Sequence, residues 1–165
     1  EQAGKHYLEY SILYPGSQHI EYAEYKSILS SFYLTLDHKH DQSQTSGTKE
    51  LAENFISRAD VYKNYQTDVK DIHKQCVCKL LDSEISVFTG HLKRGRLQSA
   101  ETRLACIKKE FSEIDEYKFL TLECRLAKAQ NKTDLLTQKQ QELATKFPKQ
   151  SLKLAKNEAK KSSWF

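Results

Sequence analysis

Glycine and proline, the residues that most often break or bend a chain, are nearly missing here, with five Gly and two Pro among 165 residues. Neither occurs between Tyr62 and Thr89. A sandwich or barrel of short strands needs turn residues roughly every ten positions, and this chain cannot supply them. The apolar spacing is instead helical. Leu97, Ala100, Leu104, Ile107 and Phe111 step by three and four, and Leu136, Leu143 and Phe147 do the same with Gln140 as a polar interruption. In the uninterrupted stretch, Val69, Ile72, Cys76, Leu80, Val87 and His91 fall close to one side. One long helix is predicted over 64–94, about 45 Å at a rise of ~1.5 Å per residue. Gly95 follows it beside Lys93 and Arg94, a fitting C-cap with cations at the negative end of the helix dipole.

The breaks are short. Tyr14-Pro15-Gly16-Ser17 is a turn with Ser17 placed to cap the next helix, and Ser112 with Asp115 has the form of a capping box. Asn131-Lys132-Thr133 and Phe147-Pro148 are further stops, and Asp37–Gly47 is the one long polar loop. Helices are predicted near 2–13, 18–36, 48–62, 64–94, 97–110, 114–129 and 132–146, and strands are not expected. Two of these helix pairs repeat. Gly95 and Asn131 are 36 residues apart, as are Phe111 and Phe147, and Tyr14-Pro15 has the look of an earlier unit's end. A period in the mid-thirties belongs to tetratricopeptide solenoids. The expected fold is therefore all-α, a tetratricopeptide-like helical repeat solenoid over 1–148, followed by a basic tail over 149–165.

At 38% hydrophobic and 29% charged residues, the chain is too apolar for a disordered tail. No apolar run approaches the ~20 residues of a membrane span. No charged-then-apolar leader precedes Glu1 and Met is absent, so the chain reads as a processed or trimmed fragment. The net charge of +4 sits in residues 149–165, which hold five Lys and one Glu; the other 148 residues carry 21 basic and 21 acidic side chains. A neutral body argues against a nucleic-acid partner. The tail is read as a solvated terminal helix, with a polyanion or anionic-lipid contact as the alternative.

Chemistry-bearing motifs are few. Cys76 and Cys78 are two steps apart, about 200° around a helix, and do not converge on a zinc ion. With Cys106 and Cys124 they are read as small buried hydrophobes, and one disulfide between neighbouring helices stays open. His38, His40 and Asp41 share the polar loop without a frame to make them converge. Glycine-rich phosphate loops, nucleophile elbows and Ser/His/Asp arrangements are missing, so neither a cofactor nor catalysis is expected. Asn131-Lys132-Thr133 is a sequon better explained as a helix junction. Nine tyrosines suit either packing between repeat helices or a contact groove, where the ring is buried while its hydroxyl stays wet.

Taken in order, several pieces resemble one family, the outer-membrane β-barrel assembly lipoproteins BamD (also called YfiO or ComL). They are Tyr14-Pro15-Gly16-Ser17 before a Tyr-rich helix and the loop Asp41-Gln42-Ser43-Gln44-Thr45 leading to the helix with Phe55. Leu80, Glu84, Ser86, Val87, Arg94 and Gly95 follow in the long helix and its end, then Ala100 and Arg103. The likeness spans roughly 1–148 and covers the family's later repeats. It departs at Val61-Tyr62-Lys63-Asn64, where the family carries Tyr-Pro, and near Gly90-His91, which lacks a paired Tyr. The resemblance implies a non-enzymatic scaffold on the periplasmic face of the outer membrane, held by a lipid anchor that this chain does not include. Its implied partners are the periplasmic domains of BamA, other barrel-assembly lipoproteins and unfolded outer-membrane proteins. The implied contact residues are Arg103, paired with an acidic group of BamA, together with Arg94, Glu84, Asp41, Gln42 and Thr45. The alternative from the repeats alone is a cytoplasmic tetratricopeptide-type adaptor or secretion chaperone that holds a peptide in a Tyr-lined groove.

Overall fold

The computed structural model describes residues 2–111, 116–148 and 150. Among them every regular element is helical: α1 (Gln2–Leu13), α2 (Ile20–Tyr33), α3 (Ser43–Ile56), α4 (Gln66–Lys93), α5 (Leu97–Glu110), α6 (Glu116–Ala129) and α7 (Thr133–Lys146). The long helix expected over 64–94 is there as α4. The Ser112–Asp115 capping box and all of the basic tail but Gln150 lie outside the described residues. None of the helices described is long and apolar enough to cross a membrane. The chain divides into two compact units, Glu1–Ser86 and Val87–Phe165.

In the first unit α1 packs on α2 and α2 on α3. Gly4 permits the first of these approaches, because a Cβ there would come within 2.9 Å of the Ser30 Cβ. The core gathers Ile28 from α2, Ala52 and Phe55 from α3, Tyr62, and Val69, Ile72 and Cys76 from α4. Helix α3 begins at Ser43 and ends at Ile56, whereas the sequence reading placed it over 48–62 and left Asp37–Gly47 as loop. The polar run Ser43–Thr48 enters the helix because Thr45 and Thr48 are wholly buried, and the Thr48 hydroxyl donates to the Gln44 carbonyl at 2.7 Å. Residues 57–65 form the connection instead. Ser17 does not cap α2 directly. Its Oγ accepts the His19 N–H at 3.2 Å and lies 2.7 Å from the Tyr10 hydroxyl, bracing the turn one step earlier.

The second unit contains the repeat in its backbone. Gly95 and Asn131 both adopt left-handed conformations, at φ 69° and 56°. Past α4, Arg96 N–H donates to His91 O at 3.0 Å and Gly95 N–H to Leu92 O at 3.1 Å. Past α6, Lys132 N–H donates to Ala127 O at 3.0 Å and Asn131 N–H to Lys128 O at 3.2 Å. These paired bonds satisfy the last carbonyls of each helix, and only a left-handed residue lets the chain turn back to make them. The helices that follow, α5 and α7, each have 14 residues and start 36 positions apart. They close alike, with Phe111 N–H bonded to Ile107 O at 3.0 Å and Phe147 N–H to Leu143 O at 2.9 Å. The inner stripes are less equal. Ile107 and Leu143 are both buried, but where α5 buries Ala100 and Leu104, α7 has half-buried Leu136 and exposed Gln140. Charge reinforces this side: Glu123 on α6 reaches Lys139 on α7 at 2.8 Å and Lys108 on α5 at 3.7 Å. The repeated hairpin is compatible with a tetratricopeptide-like solenoid.

Left-handed φ at an L-residue costs about 1–2 kcal/mol. A Cβ at Gly95 would touch nothing within 4 Å, so Gly95→Ala should lose that amount through the backbone alone. Asn131→Gly should gain on the order of 0.5 kcal/mol. Denaturant unfolding of both variants tests the pair of opposite signs.

Candidate functional site

The residues expected in the polar loop are assembled around the start of α3. The Asp41 Oδ1 accepts the Ser43 N–H at 3.0 Å, and the hydrogen bond to Ser43 holds the Asp41 carboxyl below its usual value. Gln42 Nε2 donates to the carbonyls of Asp37 at 2.8 Å and His40 at 3.0 Å, closing the loop on itself. Thr45 is fully buried. Gln44, part of the loop motif but not among the expected contact residues, ties this loop to α2 through its Nε2, 3.1 Å from the Ser31 hydroxyl. Asp41 and the two histidines are exposed or partly so, and Asp37 pairs with His38 at 2.6 Å. The six expected contact residues fall in two groups. Asp41, Gln42, Thr45 and half-buried Glu84 belong to the first unit; Arg94, exposed just past α4, and half-buried Arg103 on α5 belong to the second.

A clamp that sequence reasoning missed fixes the first unit. Glu24 on α2 receives both terminal nitrogens of Arg58, one of them at 3.0 Å, and accepts the Tyr62 hydroxyl at 2.9 Å. Arg58 also donates to the Tyr62 oxygen at 3.0 Å and lies 4.5 Å over its ring. One turn earlier, Glu21 accepts the Asn64 backbone N–H at 2.6 Å and its side-chain amide at 2.7 Å. Two carboxylates three residues apart on α2 thus hold the α3–α4 connection. The spacing of Glu21 and Glu24 was visible in the sequence; their partners, 34 to 44 residues away, were not. The clamp perturbs its members. Burial, then the neighbouring Glu24 carboxylate, pushes the Tyr62 phenol up to about 12, and Glu24 raises the Arg58 guanidinium. A proton held this firmly makes Tyr62 a strut rather than a reactive group.

Between α1 and α2 lies a cavity of about 520 Å³, lined by Tyr7, Tyr10 and Tyr22 with His6, His19 and two alanines. Its rings continue into a chain of aromatic contacts: Tyr7 meets Tyr22 edge-on at 6.2 Å, Tyr22 meets Tyr65 at 6.0 Å, and Tyr65 stacks on Tyr25 at 4.5 Å. The sequence flagged the tyrosines individually; that two histidines join them depends on the α1–α2 hairpin. The volume is in the range of small-ligand or side-chain pockets.

The four cysteines are free thiols, but only Cys76 is a buried one: Cys78, on the other side of α4, and Cys106 are exposed and Cys124 is half-buried, so the reading of all four as buried hydrophobes is corrected for those three. Burial raises the Cys76 thiol above its ordinary value, which makes it a poor nucleophile. Among the described residues, no three His, Cys, Asp or Glu side chains are grouped to hold a metal ion.

Because the Tyr62 phenol titrates higher in the folded protein than its ordinary 10.0, its contribution is complete below pH 10 and is lost as pH rises through about 12. That contribution is about 2–3 kcal/mol. Tyr62→Phe should remove the phenol that ionises near 12 and flatten the stability loss over that interval. Ultraviolet titration with unfolding at each pH measures both. Neither a protein-family model nor a curated protein matches this chain.

Proposed function

We propose that this protein is a non-enzymatic scaffold of the outer-membrane barrel-assembly kind, which holds partner proteins on faces of its helical hairpins. The observation that carries this reading is the 36-residue register of the second unit, where two helix–turn–helix segments share their turn geometry, the length of the helix after the turn and the closing aromatic. Repeated turns and second helices present side chains at fixed spacing. The BamD-like run of Glu84, Arg94, Gly95, Ala100 and Arg103 supports the sharper identification, and so does the Asp41–Thr45 loop. Its partners are then the periplasmic domains of BamA, other barrel-assembly lipoproteins and unfolded outer-membrane proteins, met at the periplasmic face of the outer membrane. Arg103 serves as a charge-assisted contact to a partner carboxylate, which fixes register as well as adding affinity.

Arg103→Glu should weaken binding to the BamA periplasmic domains of the same organism by at least tenfold, read by titration calorimetry, while circular dichroism keeps its helical form. Arg103→Lys should recover part of the loss. Unchanged affinity in Arg103→Glu overturns the docking assignment.

A second reading, a tetratricopeptide-type adaptor that grips a peptide, is favoured by the tyrosine-lined α1–α2 cavity. Peptide capture that is abolished by Tyr22→Ala and indifferent to Arg103→Glu would select it.

A further inference from the structure

The neutrality of residues 1–148 hides a division at the boundary between the two units. Residues 1–86 hold 9 basic and 13 acidic side chains, a net −4, and residues 87–148 hold 12 and 8, a net +4. Within the second unit the excess gathers at the two repeated turns. Lys93, Arg94 and Arg96 surround Gly95, while Lys128 and Lys132 flank Asn131, and all five cations are exposed. The turns sit at the same end of the unit, since α5 packs on α6 and α6 on α7, and Gln130 beside the second turn donates to Glu101 beyond the first at 3.3 Å. Glu101 and Asp134 are the acids nearest the turns in sequence, leaving this end positive.

Folding explains only part of the patch. Lys93 and Lys128 occupy the last turns of α4 and α6, where the helix dipole favours cations. Arg96 and Lys132 do not share that advantage. They are the N-cap residues of α5 and α7, neither end has a side-chain cap hydrogen bond, and positive charge there opposes the dipole. Ser, Asp or Asn would serve each helix better. The same locally unfavourable choice occurs twice, 36 residues apart, and a repeated departure of this sort marks a surface kept for binding rather than for stability.

We propose that this end of the second unit docks on an anionic membrane surface through headgroup phosphates. The patch favours lipid over an acidic protein because none of the large exposed hydrophobic side chains falls in 91–99 or 127–133. Stable protein interfaces depend on apolar or aromatic anchors at their centre. A headgroup layer needs none, and each Lys or Arg close to it contributes without shape matching. A nucleic acid is disfavoured by the lack of Phe, Tyr or Trp in 91–99 and 127–133. The proposal does not depend on the barrel-assembly reading.

The test uses the full chain and sedimentation with vesicles of phosphatidylcholine containing about one-third phosphatidylglycerol, against pure phosphatidylcholine. The protein should partition onto the anionic vesicles alone, and less so as salt shortens the screening length. Arg96→Ser with Lys132→Ser should lower partitioning on the order of 25-fold, at roughly fivefold per cation. The same pair should raise the melting temperature by a few degrees, because Ser is the better cap. Loss of binding with a higher melting temperature separates docking from folding. Neutralising Lys149, Lys153, Lys156, Lys160 and Lys161 should leave most of the binding intact. Unchanged partitioning in the double variant overturns the proposal. So does binding that disappears with the tail lysines, or a preference for polyglutamate or RNA over the vesicles.

Discussion

A helix that must turn back on itself leaves its last carbonyls without partners, and one residue of left-handed backbone resolves the problem. Gly95 provides it after α4 and Asn131 provides it again after α6, with the same two reverse hydrogen bonds in each case. Much else in the second unit follows from that constraint. The turns set where α5 and α7 begin, and both then run 14 residues to an aromatic whose N–H closes the final turn. They also place Lys93, Arg94, Arg96, Lys128 and Lys132 on exposed corners rather than along buried faces. Of the five glycines, Gly95 alone takes a left-handed backbone, and Asn131 is its counterpart.

The first unit is organised differently. Its decisive contacts are polar and distant in sequence, Glu21 and Glu24 reaching across to Asn64, Arg58 and Tyr62. Replacing one member of such a cluster leaves partly buried donors or a carboxylate without partners, which costs more than the cluster's net contribution. The clamp also explains why 57–65 is not helix although Val61 and Tyr62 are apolar. Tyr62 is buried by the connection folding under α2 and not by a helical stripe.

What was legible in the sequence was local and periodic. The long helix, the Gly95 and Asn131 turns, the 97–110 helix and the opposed faces of Cys76 and Cys78 all follow from spacing on a helix of known pitch. Helix α3 was misplaced because Ser, Gln and Thr between Ser43 and Thr48 resemble loop, and their burial depends on packing that spacing does not reveal. For the candidate site, Asp41, Gln42 and Thr45 could be named from the sequence, but not their roles in closing the loop and shaping its base. The cavity histidines, His6 and His19, come together only when α1 folds against α2. Charge was misleading in one respect: a neutral sum over 1–148 concealed opposite signs on either side of residue 86.

The account rests on the second turn and its following helix repeating the first at the level of the backbone, with asparagine in the place of glycine. Nuclear magnetic resonance can read this at a single residue, from the coupling between amide and α protons and the carbon shifts of Asn131. Left-handed values at Asn131 matching those of Gly95, with slow exchange of the Lys132 amide, are the expected result. A right-handed Asn131 in a helix running on through Lys132 would contradict the repeat and the scaffold built from it.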